Sequence, residues 1–166
     1  MANSLSNLAV LYTAESRYAE AEPLYKRALT IQEEVLGPEH PEVATSLTNL
    51  GTLYRIQGSY AAAEPLYQRA LEIRQKALGA ENPEVAASLN NLTALYLAQK
   101  RFETAEDFSK RALAMTEKTL GSCHPLMATA LENRGAILAA LNHAEEAYPL
   151  LDRAKRIQAG KCGGSN

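Results

Sequence analysis

Four asparagines, Asn7, Asn49, Asn91 and Asn133, recur at a constant interval of 42 residues. A side-chain amide carries both a donor and an acceptor, so a row of amides can pair with the backbone of an extended peptide whatever its sequence. The same row could instead bond neighbouring helices and order them, because buried polar groups are normally paired. The sequence leaves both uses open. Other chemistry-bearing residues form no catalytic constellation. Cys123 and His124 are adjacent and so poorly placed to face each other, and no third group orients them. There is no glycine-rich phosphate loop, no H-E-x-x-H and no paired-cysteine zinc spacing. The expectation is therefore a chain that is not an enzyme, with no catalytic residue, cofactor or metal.

The elements that must position the asparagines are also periodic. SLSNLAVLY at Ser4 returns as SLTNLGTLY at Ser46 and SLNNLTALY at Ser88, with a weaker copy, ALENRGAIL, at Ala130. A second block follows each: YAEAEPLYKRALTI from Tyr18, YAAAEPLYQRALEI from Tyr60, FETAEDFSKRALAM from Phe102 and AEEAYPLLDRAKRI from Ala144. More than half of the positions agree between the first two units, so the repetition is not accidental. In the first block Leu5, Leu8, Leu11 and Tyr12 fall on one helical face; in the second, Ala21, Leu24, Tyr25, Ala28, Leu29 and Ile31 form a wider apolar stripe. Each unit is thus expected to be a helix pair. Gly37, Gly79 and Gly121 stand where a left-handed C-cap is expected. His40, Asn82 and His124, each followed by proline, read as turn or capping residues opening the next helix. Pro23, Pro65 and Pro149 either cost a backbone hydrogen bond inside the second helices or mark their true starts.

Composition limits the partners. The chain has 166 residues, 46% hydrophobic and 22% charged, with a formal net charge of −2. That balance argues against nucleic acid, whose phosphates call for a basic face. No apolar run approaches the roughly 20 residues needed to cross a bilayer, and no basic-then-apolar leader opens the sequence. Two cysteines without a C-x-x-C arrangement suggest reduced thiols and a cytoplasmic setting. Cys162 lies in a glycine-rich tail, 160–166, expected to be disordered and to pack on nothing.

These blocks resemble the tetratricopeptide repeat. Its pattern of large, Leu, small and aromatic residues, then Ala, aromatic and Ala, is met by Leu5, Leu8, Ala9, Tyr12, Ala21, Tyr25 and Ala28, and by Leu47, Leu50, Gly51, Tyr54, Ala63, Tyr67 and Ala70. The third unit departs at Ser109, where an aromatic is expected. The 42-residue period, the recurrent asparagine and the endings LGPEHP, LGAENP and LGSCHP are similar to the kinesin-light-chain subtype. The resemblance implies an all-α fold: a right-handed α-solenoid of stacked antiparallel helix pairs, about four repeats and eight helices. The expected array covers 1–159, in units of about 1–44, 45–86, 87–128 and 129–159.

The resemblance further implies that first helices line a concave groove holding an extended peptide or partner segment. The residues expected there are Asn7, Asn49, Thr48, Thr52, Arg55, Asn90, Asn91, Glu132 and Asn133. Members that clamp the carboxylate of a chaperone tail need basic residues where this chain has Ser6, Ala87 and Asn91, so that ligand is not expected. The alternative, from another functional class, is a structural or self-associating spacer, either monomeric or weakly self-associating. Arg134 and Lys155 replace leucines of earlier units and suggest a solvated capping face on the last unit. The first unit lacks counterparts of His40 to Val43, which suggests the C-terminal piece of a longer array. Arg27, Arg69, Arg111 and Arg153 are expected to cover core edge with their stems and meet carboxylates with their heads.

Overall fold

A computed structural model describes residues 1–162. These residues form eight helices and no strand. They fall into two compact units, one of residues 1–80 and one that begins at Glu81. The first holds α1 (Ala2–Ala14), α2 (Tyr18–Leu36), α3 (Pro41–Ile56) and α4 (Tyr60–Leu78). The second holds α5 (Pro83–Ala98), α6 (Phe102–Leu120), α7 (Pro125–Ala140) and α8 (Ala144–Gln158). Within each unit, successive helices pack as antiparallel pairs, and the second helix of one pair also packs on the first helix of the next.

Helix starts follow from local chemistry. His40 Nδ1 accepts from the Glu42 N–H at 3.2 Å, Asn82 Oδ1 from Glu84 N–H at 2.8 Å, and His124 Nδ1 from Leu126 N–H at 3.1 Å. Histidine and asparagine thus do the same capping job, with proline next in line at the first helical position. The second helices begin at Tyr18, Tyr60 and Ala144, so Pro23, Pro65 and Pro149 lie inside them, each forgoing one backbone bond. Glycine ends the helices differently from expectation. Gly37, Gly79 and Gly121 have φ near +85° but ψ of 153°, 154° and 172°. This is not the left-handed helical cap but an extended conformation at positive φ, which glycine alone adopts readily.

The core is built on small residues where helices meet. Ala21, Ala63, Ala105 and Ala147 are buried. Gly135 goes further, since a Cβ there would lie 2.6 Å from Leu151 Cδ2. In the first unit Ala9, Ala21, Tyr25, Leu50 and Leu53 make one cluster, and Val43, Ala44, Leu47, Ala70 and Ile73 a second. Met127, Ala128, Leu131, Ala154 and Ile157 do the same in the second unit. Where Ser109 interrupts the aromatic pattern, its hydroxyl donates to the Glu106 carbonyl at 2.8 Å. The aromatic has moved one residue, to Phe108, whose ring centroid lies 5.2 Å from that of Tyr96.

Polar contacts join the pairs. Glu22 accepts from Tyr54 Oη at 2.9 Å and pairs with Lys26 at 2.7 Å. Lys26 foremost, then Tyr54, holds the Glu22 carboxyl below its usual value. Glu106 pairs with Lys110 in the same way. Arg69 meets Glu33 at 2.6 Å and Arg153 meets Glu117 at 3.8 Å, as expected of that recurrent arginine, whereas Arg111 pairs locally with Asp107 and Arg27 has no acidic partner among the described residues.

Two expectations are corrected. Cys123 and Cys162 are not thiols: they form a disulfide, and Cys162 packs against the cluster around Met127 and Ile157 rather than on nothing. The remainder of the expected disordered tail, 163–166, lies outside the described residues. Lys155 is exposed where its counterpart Leu71 is buried, but Arg134 does not fit the expected capping face. Leu50, the counterpart of Arg134, packs back onto Ala21 and Tyr25 of the preceding pair. Arg134 accordingly lies within reach of the field of Glu106 on α6, with its Nη1 buried and without a hydrogen-bond partner. The position looks backward into the stack, so no missing successor could have covered it.

Two outcomes follow from these contacts. Gly135→Ala forces the new methyl against Leu151 and is expected to cost about 1–3 kcal/mol in chemical denaturation. His124→Asn keeps an acceptor at the cap and should leave stability nearly unchanged, while His124→Ala should lose about 1 kcal/mol.

Candidate functional site

The first unit contains a polar concavity of about 360 Å³. Asn3, Ser6 and Asn7 of α1 face Glu42, Thr45, Ser46 and Asn49 of α3 across it, and Gln32 of α2 also contributes to its lining. Asn7 and Asn49 stand one repeat apart because each occupies the same turn of a first helix, so stacking the pairs brings their amides to one opening. Asn7 is exposed and Asn49 half-buried, and neither amide has a side-chain hydrogen-bond partner among the described residues. Both therefore retain their donor and acceptor for water or a ligand.

Gln32 is the residue that sequence reasoning missed. It is 6% exposed; its Nε2 donates to Asn3 Oδ1 at 3.4 Å, and its Oε1 accepts from the Ser46 hydroxyl. It thereby pins α1 and α3 to the end of α2. The equivalent in the next pair is Arg74, also 6% exposed, whose guanidinium donates to Thr48 Oγ1 at 3.1 Å and Thr45 Oγ1 at 3.5 Å. The available signal was a polar residue continuing the Ala21, Tyr25, Ala28 stripe at Gln32, and likewise Ala63, Tyr67, Ala70 at Arg74.

The other expected residues are placed as follows. Thr48 is half-buried and donates to the Ala44 carbonyl at 2.8 Å. Thr52 donates to the Thr48 carbonyl at 2.9 Å, leaving its oxygen to accept from Tyr67 Oη at 2.9 Å. Both hydroxyls are thus engaged within the unit. Arg55 is half-buried in the last turn of α3, where a cation suits the helix dipole, and it has no carboxylate partner among the described residues. Thr48, Thr52 and Arg55 are not among the residues lining the concavity.

In the second unit Asn91 is half-buried on α5 without a side-chain partner among the described residues. Asn133 on α7 donates from Nδ2 to the Asn90 carbonyl at 3.4 Å, so here the row ties two first helices together. Asn90 itself is 3% exposed, and neither amide atom has a hydrogen-bond partner. Glu132 accepts from Gln158 Nε2 at 2.7 Å. The asparagine row is therefore open at Asn7, Asn49 and Asn91 and used internally at Asn133.

Among the described residues no group of three histidine, cysteine or acidic side chains is placed to hold a metal ion. Cys123 is committed to its disulfide and His124 to its cap. His143 is exposed, and its Nδ1 lies 2.9 Å from Glu146 Oε1 on the surface. No helix of the described residues is long and apolar enough to cross a membrane.

Comparison with known proteins agrees with this architecture. No curated protein gives a significant match. The crystal structure of BtubC (BKLC) from P. vanneervenii is 32% identical, with a TM-score of 0.85, over 99% of this chain. This chain spans 66% of that one. The kinesin-light-chain-like protein of Podosopora anserina, with nearly identical TPR-like repeats, matches 98% of this chain and 77% of its own at 28% identity and a TM-score of 0.75. A point variant of that protein matches 96% and 75% at 29% identity, with a TM-score of 0.77. The family model for the tetratricopeptide repeat matches 1–76, 50–118 and 84–160. With the paired helices, the 42-residue period and these solenoid neighbours, the chain belongs to the tetratricopeptide-repeat family.

Proposed function

We propose that the chain is a protein-interaction scaffold that binds an extended peptide or partner segment along its first helices. The observation that carries this reading is the concavity between α1 and α3, where Asn7 and Asn49 present amides with no side-chain partner among the described residues. An extended backbone offers alternating N–H and C=O groups, and amides can serve both. Asn91 continues the row in the second unit. Thr48, Thr52, Arg55, Asn90, Glu132 and Asn133 then belong to the supporting wall. Asn133 ties α7 to α5 through the Asn90 carbonyl, Thr52 meets Tyr67 of α4, Glu132 meets Gln158 of α8, and Arg55 is the cation of that wall. The family provides general support, since its repeats serve mainly as binding surfaces. The reading includes no enzymatic step, cofactor, nucleic acid or membrane. A cytoplasmic setting stays part of the proposal, although the reduced thiols that suggested it are replaced by the Cys123–Cys162 bond.

One observation favours self-association as a second reading. On α1, Leu8 is 39% and Leu11 61% exposed, while their counterparts Leu50 and Leu53 on α3 are 4% and 0% exposed beneath α2. Val10 is exposed beside them, and α1 carries no charged residue in its first or last turn. A second copy of the chain could cover this face.

Two measurements separate the readings. Screening a random peptide library and titrating the selected peptides should show binding that Asn49→Ala weakens by about tenfold, the worth of one to two hydrogen bonds. The melting temperature should stay unchanged; a large fall in stability with unchanged affinity would favour a purely structural asparagine. In sedimentation velocity, self-association would appear as a concentration-dependent dimer that Leu11→Glu abolishes, and a monomer at all concentrations excludes that reading.

A further inference from the structure

We propose that Cys123–Cys162 is a reversible thiol–disulfide site, opened by a dithiol reductant, that fastens the C-terminal end of the second unit. Glu39, Glu81 and Cys123 occupy the same place in the turn after three successive second helices. Glu39 pairs with Lys76 at 3.1 Å, and Glu81 pairs with Lys118. Lys76 and Lys118 are themselves equivalent, each near the end of the following second helix. In the last pair the counterpart of these lysines is Gly160, and Cys162 lies two residues beyond it. The same joint, from the turn to the end of the next second helix, is thus an ion pair twice and a covalent bond once.

The earlier joints are more than half exposed, so they contribute little and respond to salt. The architecture therefore does not depend on a covalent joint at this place. α8 is also held independently by α7, through Met127, Leu131, Ala154 and Ile157. Opening the disulfide should release the tail while the helix pair remains.

The surroundings suit exchange. Cys123 is an exposed residue and Cys162 is only partly buried. Cys123 immediately precedes His124, the N-cap of α7, and a thiolate there benefits from the positive end of the helix dipole. Lys161 flanks Cys162 in sequence. A thiolate of the reductant attacks Cys123 Sγ. The S–S bond breaks, and its electron pair leaves on Cys162 Sγ, which takes a proton from solvent. The reductant's second thiolate then attacks the mixed disulfide and closes its own ring, and Cys123 departs as a thiolate to be protonated in turn. Two electrons and two protons pass from the dithiol to the cysteine pair. Oxidised dithiol reverses the reaction.

The test equilibrates the full chain with graded ratios of reduced to oxidised dithiothreitol, without denaturant. Alkylation and mass measurement read the thiols, circular dichroism reads helicity, and hydrogen exchange reads local order. The expected result is a reversible transition from no alkylated thiols to two. Helicity should be retained, and faster exchange should be confined to the α6–α7 turn and the residues after α8. Cys123→Ser and Cys162→Ser should each show the open exchange pattern in both buffers with wild-type helicity. The proposal is overturned if the bond resists reduction until denaturant is added, if its opening melts α7 and α8, or if two thiols persist in the oxidising buffer.

Discussion

The close approach of paired helices is the constraint on which the other features depend. Ala21, Ala63, Ala105 and Ala147 are buried, and Gly135 leaves no room even for a methyl group beside Leu151. Larger side chains would push the pairs apart, and with them the first helices that must stand side by side. Once the pairs close, the second helix has two neighbours and buries surface that no pair buries alone. Only then do Asn7 and Asn49, a full repeat apart in sequence, reach one concavity.

That spacing also decides which polar residues are free. Gln32 and Arg74 extend from the second helices to the hydroxyls and amides at the bases of the first, and so consume Asn3, Ser46, Thr45 and Thr48. The asparagines at the row positions Asn7 and Asn49 escape this engagement. In the second unit the row is partly spent, because Asn133 reaches the Asn90 carbonyl. A repeated residue therefore does not have a repeated role: the neighbours change, and the amide pairs inward or faces out accordingly.

Much of this was legible from residues. The 42-residue period, the small residues at helix contacts and the His-Pro or Asn-Pro openings led directly to helix pairs with capped starts, because each is a local preference. Arg134 was misread because helical spacing says which residues share a face, not whether that face looks forward or back in the stack. Gly37, Gly79 and Gly121 were correctly assigned positive φ, but ψ depends on where the chain must travel next. The disulfide escaped notice because its partners are 39 residues apart with no spacing motif. Its signal lay instead in the alignment of repeats, where Cys123 replaces Glu39 and Glu81. Gln32 was visible as a polar break in an apolar stripe, but its partners belong to other helices.

The proposed place for a partner segment is the asparagine-lined concavity between α1 and α3. Backbone amide chemical shifts, recorded while a library-selected peptide is titrated into the full chain, test it most directly. Binding there should perturb Asn3, Ser6, Asn7, Thr45 and Asn49 most, including the side-chain amides of both row asparagines. Perturbations confined to the exposed Leu8 and Leu11 face of α1, with the Asn7 and Asn49 side-chain amides unmoved at saturation, would contradict it.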